Sequence, residues 1–190
     1  MLRKHNLLAL IIILVTDCTF LHSQNPRMDG YKGIWFSAGL IQEYGYKFSG
    51  GVSTFSSRHR PIAIYAPEVR KTYFVYGGTT QPDERHLLIM VSYFDHRTHK
   101  VPKPVVVYNK MGVREPYDNA SISIDKQGYL WIYVSGNRRT RPGLIFKGSK
   151  PFSIDNFELM TKMEMVSPQP WWSDDTGFLL LYSRVSKGLD

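Results

Sequence analysis

Apolar and polar residues alternate along most of the chain, and this period of two predicts β-strands rather than helices. Turn-forming clusters of Gly, Pro, Asn, Asp and Ser separate the alternating runs at short intervals. The runs are Ile62–Tyr65, Thr72–Tyr76, Leu87–Phe94, Val105–Tyr108, Ser121–Ile124, Tyr129–Val134, Gly143–Phe146 and Phe178–Tyr182. One weak stretch, Asn156–Met165, has a helix-like pattern. The pattern therefore predicts an all-β domain that no linker divides.

Three segments repeat one arrangement: an apolar strand, a short polar turn and a second strand that is rich in aromatic residues. They are Pro61–Gly78, Ala120–Gly136 and Pro170–Arg184, and their ends lie 58 and 48 residues apart. A hairpin that recurs at about 40–50 residues is typical of a β-propeller, in which each blade is a small sheet. At that spacing the chain covers only about three to four blades, and propellers typically need about four to eight. We therefore expect the N-terminal part of a larger propeller, apparently truncated at the C-terminus.

The first 23 residues have the pattern of a secretory signal peptide. Arg3 and Lys4 form a basic start, Leu7–Val15 is an unbroken apolar run, and Leu21–Ser23 offers a cleavage site. The apolar run is too short for a spanning helix, although a retained membrane anchor is the alternative. Lipid attachment at Cys18 is less expected, because the acidic Asp17 precedes it. The prediction is a signal peptide over 1–23, a domain over 24–190, and a secreted, periplasmic or cell-surface location.

The chain is basic, with a formal net charge of +8 at pH 7. A positive balance suits an anionic partner. Nucleic acid is not expected, because no Lys/Arg run or helix motif for binding it occurs. An acidic polysaccharide is the better partner for an exported protein, and the alternative is that the charge only keeps the domain soluble. The single cysteine lies in the predicted signal peptide, so we expect no disulfide.

Two of the three hairpin turns fit the Asp-box pattern. Ser173–Gly177 has the spacing S-x-D-x-G and precedes Leu180, and Ser123–Gly128 has one extra residue and precedes Trp131. In such a turn Asp caps backbone donors, Gly takes a positive φ, and the later apolar residue packs beneath. We expect both turns to be structural rather than catalytic.

Seven strings match the pattern of a known family. They are DGYKGIWF (Asp29–Phe36), YKFSGGVSTF (Tyr46–Phe55), PIAIYAPEVRKTYFVYGGT (Pro61–Thr79), MVSYFDHRTHKVPKP (Met90–Pro104), DNASISID (Asp118–Asp125), RPGLIFKGSKPFSIDNFE (Arg141–Glu158) and SPQPWW (Ser167–Trp172). The chain resembles the BNR-repeat proteins of bacterial polysaccharide-degrading systems, which are sialidase-like seven-bladed propellers related to ulvan-type polysaccharide lyases. The resemblance implies action on an acidic, uronate-containing polysaccharide, by lyase or glycoside-hydrolase chemistry and without a cofactor.

Uronate elimination needs a group that neutralises the carboxylate, a base near the sugar carbon and an acid for the leaving oxygen. The resemblance makes His96, in SYFDH, the first candidate catalytic residue, and the alternative is a loop histidine bonded to nearby backbone. Tyr117, in PYDN, stands where relatives often carry His. It is the second catalytic candidate, although the substitution equally fits lost activity.

Four residues are candidates for substrate binding. His59 lies between two arginines in a basic loop, with a merely solvated loop as the alternative. Asn119 and Arg141 match the family, and an Asx turn is the other interpretation of Asn119. Trp172 is suited to stacking on a sugar ring, but one of the pair Trp171–Trp172 is expected to serve packing.

No metal site is expected. The spacing of His86, His96 and His99 comes without a carboxylate or cysteine frame, so it is a weak signal for a metal ion. Two further functions stay open beside an enzyme: a non-catalytic glycan-binding module, and an inactive truncated remnant of such an enzyme. The oligomeric state cannot be predicted from the sequence.

Overall fold

A computed structural model of the protein describes residues 25–27, 60–78, 86–111, 118–137 and 140–184. These residues form ten β-strands and contain no α-helix. The strands are β1 (Ala63–Ala66), β2 (Lys71–Gly78), β3 (His86–Asp95), β4 (Val105–Met111), β5 (Ala120–Ile124), β6 (Leu130–Val134), β7 (Gly143–Gly148), β8 (Phe157–Met163), β9 (Val166–Ser173) and β10 (Gly177–Ser183). The prediction of an all-β domain is confirmed, and no helix in the described ranges is long and apolar enough to cross a membrane.

The strands form three antiparallel sheets in chain order. The first has the order β1-β2-β3-β4, the second β5-β6-β7-β8, and the third is the hairpin β9-β10. Each predicted hairpin supplies the first two strands of one sheet, with pairs such as Ile64↔Tyr73, Ile122↔Ile132 and Trp172↔Phe178. The first strands β1, β5 and β9 pack against one another in sequence. Across the described residues the three sheets do not form a closed ring.

The core lies between successive sheets. Ile89 and Val91 of the first sheet pack with Ile122 and Ile132 of the second, and all four are fully buried. A smaller cluster joins the second and third sheets through Tyr133, Phe178 and neighbouring apolar side chains. The apolar residues of the alternating runs therefore pack between neighbouring sheets.

The weak helix-like stretch Asn156–Met165 is not helical, because Phe157–Met163 forms strand β8. This strand pairs with β7 and is mostly exposed, with only Phe157 buried. An edge strand that buries so little apolar surface lacks the alternation that marks the other strands. Its polar and charged residues therefore resembled a weak helical pattern.

The Asp-box turn at Asp125 is structural. The Asp125 carboxylate accepts backbone N–H bonds from Gln127 and Tyr129, at 3.0 and 2.9 Å, and the indole N–H of Trp131 at 2.9 Å. Gly128 has a φ of 86°, as the pattern predicts. In the third hairpin Gly177 also has a positive φ, of 78°.

The segment Asn25–Arg27 joins the first two sheets. The Asn25 side-chain amide donates to the carbonyl of Val106 at 2.9 Å, and its oxygen accepts the backbone N–H of Phe157 at 2.8 Å. Arg27 pairs with Asp155 at the surface. The predicted boundary of the domain at residue 24 stays a prediction, because residues 1–24 lie outside the described ranges.

Candidate functional site

The hairpins have two ends that carry different chemistry. Ala66 at the end of β1, Ile124 at the end of β5 and Trp172 near the end of β9 all line one cleft, so the three hairpin turns meet there. We call this the hairpin-turn end. The connections that carry Asp118 and Arg141 lie at the opposite end, which we call the Asp118 end. Seven residues of extended chain separate Asp118 from Asp125, a distance of roughly 23 Å.

A buried carboxylate organises the Asp118 end. The Lys110 ammonium, on β4, lies 2.6 Å from Asp118 Oδ1 and donates to the carbonyl of Ser135 at 2.5 Å. The Arg141 guanidinium, just before β7, reaches the same carboxylate through Nη2 at 2.9 Å and through Nε at 3.3 Å. Three segments that are separated in sequence therefore meet at one carboxylate.

The exposure of these three side chains differs sharply. The side chains of Lys110 and Asp118 are 4% and 1% exposed, whereas that of Arg141 is 34% exposed. Buried charges of this kind persist only when they are paired and hydrogen-bonded. The Lys110 ammonium and the Arg141 guanidinium share this carboxylate, and of the two cations only Arg141 reaches the surface. The cluster therefore holds a partly exposed guanidinium in a fixed orientation.

Asn119 lies next to this carboxylate and is 4% exposed. Its carbonyl accepts the backbone N–H of Ser135 at 3.0 Å, and the Ser135 hydroxyl accepts the backbone N–H of Ser167 at 2.8 Å. These bonds tie the start of β5 to the chain after β6 and to β9. A residue buried to this degree holds the loop beside Asp118, and its contact with a ligand stays a prediction.

His96 lies at the hairpin-turn end, in the turn that follows β3. The Asp95 carboxylate accepts backbone N–H bonds from Arg97 at 2.7 Å and Thr98 at 3.3 Å, which keep the pKa of Asp95 below its usual value. The His96 ring bonds Thr72 Oγ1 through Nε2 at 2.8 Å and packs edge-on against Phe94. The ring is therefore held in one orientation and is half-buried.

Trp172 lies at the same end as His96. Its indole N–H donates to Asp174 at 2.9 Å, and its ring packs edge-on against Phe178 at 4.9 Å. The indole is half-buried and lines the cleft between the hairpin turns. Trp171 is 41% exposed on the other face of β9, because successive side chains in a strand alternate.

The structure therefore separates the candidate residues into two groups. Asn119 and Arg141 lie together at the Asp118 end, whereas His96 and Trp172 lie at the hairpin-turn end. One strand length therefore separates His96 from Arg141 along the sheets. The catalytic role of His96 and the binding roles of Asn119, Arg141 and Trp172 stay predictions. Tyr117 and His59 lie outside the described residues.

Lys110 was missed by the sequence analysis. It follows apolar residues within strand β4, in VVVYNKM, where an inward-facing lysine requires a buried counter-charge. A lysine at an inward-facing position of an apolar strand was the sequence signal that could have identified Lys110. No group of three or more His, Cys, Asp or Glu side chains that could hold a metal ion occurs in the described ranges.

No family model matches this chain, and no curated protein matches it. Two solved structures do match, each with a TM-score of 0.56 and 16% sequence identity over 69% of this chain. The chain shares its fold with an ulvan lyase. Both structures are of that polysaccharide lyase, described as a new family of polysaccharide lyase, and one is bound to -[GlcA(1-4)Rha3S]-.

The match covers 33% of the lyase chain, so this chain spans about a third of the length of the lyase. At this identity the likeness concerns the fold alone. It supports the expected relation to ulvan lyases, and membership of the BNR-repeat family stays a prediction.

Proposed function

We propose that the protein is an exported, carbohydrate-active protein that acts on an acidic, uronate-containing polysaccharide at the Asp118 end. One observation carries the proposal: the guanidinium of Arg141 is partly exposed and is oriented by a buried carboxylate that Lys110 already neutralises. A planar guanidinium is the preferred partner of a carboxylate. The partly exposed guanidinium of Arg141 is therefore suited to bind a sugar carboxylate.

The reaction that fits this arrangement best is elimination. Arg141 binds the uronate carboxylate and stabilises the negative charge that develops when the proton on the neighbouring carbon is removed. That proton passes to a base, the bond from the next carbon to the bridging oxygen breaks, and a carbon–carbon double bond forms. The leaving oxygen takes a proton from an acid. Tyr117, which directly precedes Asp118 in the sequence, is the proposed acid or base.

The fold supports a finer proposal about architecture. We propose that each sheet is one blade of a sialidase-like, seven-bladed β-propeller, of which this chain covers about three to four blades. The consecutive antiparallel sheets, the adjacent first strands and the shared fold with the ulvan lyase support it. The signal peptide proposed for residues 1–23 would direct the protein to the periplasm, the cell surface or the medium.

A second candidate function is a non-catalytic glycan-binding module. The observation that favours it is the separation of His96 from Arg141, because the family resemblance assigns catalysis partly to His96. With His96 at the hairpin-turn end, elimination at Arg141 requires other groups as acid and base, and Tyr117 is the candidate from the sequence. A protein that holds a uronate without those groups would bind the polymer and leave it intact.

The test is an incubation of the purified protein with ulvan and with polygalacturonate, followed through the ultraviolet absorbance of the unsaturated uronate product. Elimination predicts a rise in absorbance for the wild type that Tyr117→Phe and Arg141→Ala abolish. No rise together with retardation in a gel that contains the polymer supports the binding module. The proposal would be overturned if neither polymer gave a product and neither retarded the protein.

A further inference from the structure

The cleft at the hairpin-turn end has the features of a second ligand site. It has a volume of about 310 Å³ and lies where the turns of all three hairpins meet. Three aromatic side chains line it: Tyr65 from β1, Phe152 from the connection between β7 and β8, and Trp172 from β9. Clefts of this size with aromatic walls and a few polar groups are typical of small-ligand sites.

Each of the three rings is held in place by its neighbours. Trp172 is held by its bond to Asp174 and by the edge of Phe178. Tyr65 is 51% exposed, yet its ring packs edge-on against His96 at 5.2 Å. Because His96 is itself bonded to Thr72, the exposed Tyr65 ring is supported from behind. Rings that are ordered before binding lose little conformational entropy when a ligand stacks on them.

Phe152 adds an independent observation. It has a φ of 54°, a backbone conformation that bulky residues rarely adopt. Its N–H donates to the carbonyl of Gly128 at 2.8 Å, and its own carbonyl accepts the Tyr73 hydroxyl at 2.6 Å. Its ring lies so close to Gly128 that a Cβ atom there would be 2.5 Å from it. Backbone strain that the surroundings enforce in this way is concentrated at functional sites.

The charges around the cleft select the kind of ligand. Its lining includes the carboxylates of Glu68, Asp125 and Asp174 and the ammonium of Lys126, so the formal balance is negative. The Asp125 carboxylate is engaged by the Asp-box turn, whereas Glu68 and Asp174 are exposed and can accept hydrogen bonds from hydroxyl groups. A uronate or a sulfate ester would be repelled here, in contrast to the Asp118 end.

We propose that this cleft is a second carbohydrate site that takes an uncharged sugar, with Trp172 and Tyr65 packing on its apolar face and Glu68 and Asp174 accepting its hydroxyl groups. The site lies on the opposite end of the sheets from Arg141. A polymer with both charged and uncharged sugars would thus be held at two separate places. The proposal does not depend on any activity at the Asp118 end.

The test is isothermal titration calorimetry of the whole protein with three uncharged probes: cellohexaose, xylohexaose, and an ulvan oligosaccharide that has been desulfated and carboxyl-reduced. At least one probe is expected to bind, with an affinity that does not change between low and high salt, because no ion pair forms. Trp172→Ala is expected to weaken that binding about tenfold or more, a change of about 1.4 kcal/mol. Trp172→Phe, which retains an aromatic ring, is expected to lose less binding affinity than Trp172→Ala.

Two controls separate this proposal from the others. Trp171→Ala removes the same side chain from the other face of β9 and is expected to bind like the wild type. Arg141→Ala is expected to bind the uncharged probe as the wild type does and to lose only its affinity for the uronate. Equal thermal unfolding midpoints of the two Trp variants exclude misfolding as the cause. The proposal is overturned if no uncharged probe binds, or if Trp172→Ala and Trp171→Ala bind equally well.

Discussion

At the residue scale, Asp118 shows how a buried charge is compensated by charged neighbours in this protein. Its carboxylate is almost fully buried, and the ammonium of Lys110 and the guanidinium of Arg141 both reach it. The family resemblance already pointed to Asp118 and Arg141. It could not reveal Lys110, because the partner of a carboxylate is set by how β4 and the start of β5 meet in space.

Asp118→Asn is expected to destabilise the protein strongly. The substitution removes the negative charge that compensates the buried Lys110, and breaking a buried pair in this way costs about 3–5 kcal/mol. Urea denaturation measures the change in the free energy of unfolding. Asp155→Asn is the matched control, because its pair with Arg27 is at the surface and such pairs contribute about 0–1 kcal/mol. Equal losses in the two variants would contradict the role of burial.

Two buried tyrosines make stability depend on alkaline pH. Burial raises the pKa of Tyr73 and of Tyr133 above the ordinary value near 10. Above about pH 10 the unfolded chain releases phenol protons that the folded protein retains. The free energy of unfolding should therefore fall with rising pH, by up to about 1.4 kcal/mol per pH unit for each tyrosine.

Urea denaturation across the alkaline range checks this dependence. Tyr133→Phe removes one of the two groups, so its stability should fall less steeply with pH than that of the wild type. Tyr129→Phe is the control, because the Tyr129 side chain is only half-buried. A wild type whose stability does not change between about pH 9 and 11 would refute the prediction.

At the scale of the elements, alternation of apolar and polar residues was sufficient to predict most strands. It predicted the three hairpins because each pairs an apolar strand with a strand rich in aromatic residues. It failed at β8, whose residues are mostly exposed. The Asp-box pattern correctly predicted the turn at Asp125, because its contacts are all within seven residues of chain.

Gly128→Ala should disrupt the turn between β5 and β6. Gly128 has a φ of 86°, and an added Cβ would lie 2.5 Å from the ring of Phe152. We expect a loss of about 2 kcal/mol in the free energy of unfolding. Gly148→Ala, where the nearest atom would be at 3.5 Å, should have a small effect. If chemical denaturation shows the two variants to be equally stable, the close packing of Phe152 on Gly128 is not required.

At the scale of the whole molecule, the candidate residues are divided between two ends of the sheets. The sequence contains a signal for this division. One predicted strand, Val105–Tyr108, lies between His96 and Asn119, and in a meander each strand carries the chain to the opposite end. Counting the strands between them would have predicted that His96 and Asn119 lie at opposite ends of the sheets. The meeting of Tyr65, Phe152 and Trp172 could not be predicted, because it depends on how three sheets pack.

The central claim is that Arg141 holds a sugar carboxylate. The most direct test is calorimetric titration with a native, uronate-containing ulvan oligosaccharide at low salt. We expect that the wild type binds, that Arg141→Ala binds about tenfold more weakly or worse, and that Lys150→Ala, which removes an exposed charge at the hairpin-turn end, binds as the wild type does. Equal affinities of Arg141→Ala and the wild type would rule out this role of Arg141.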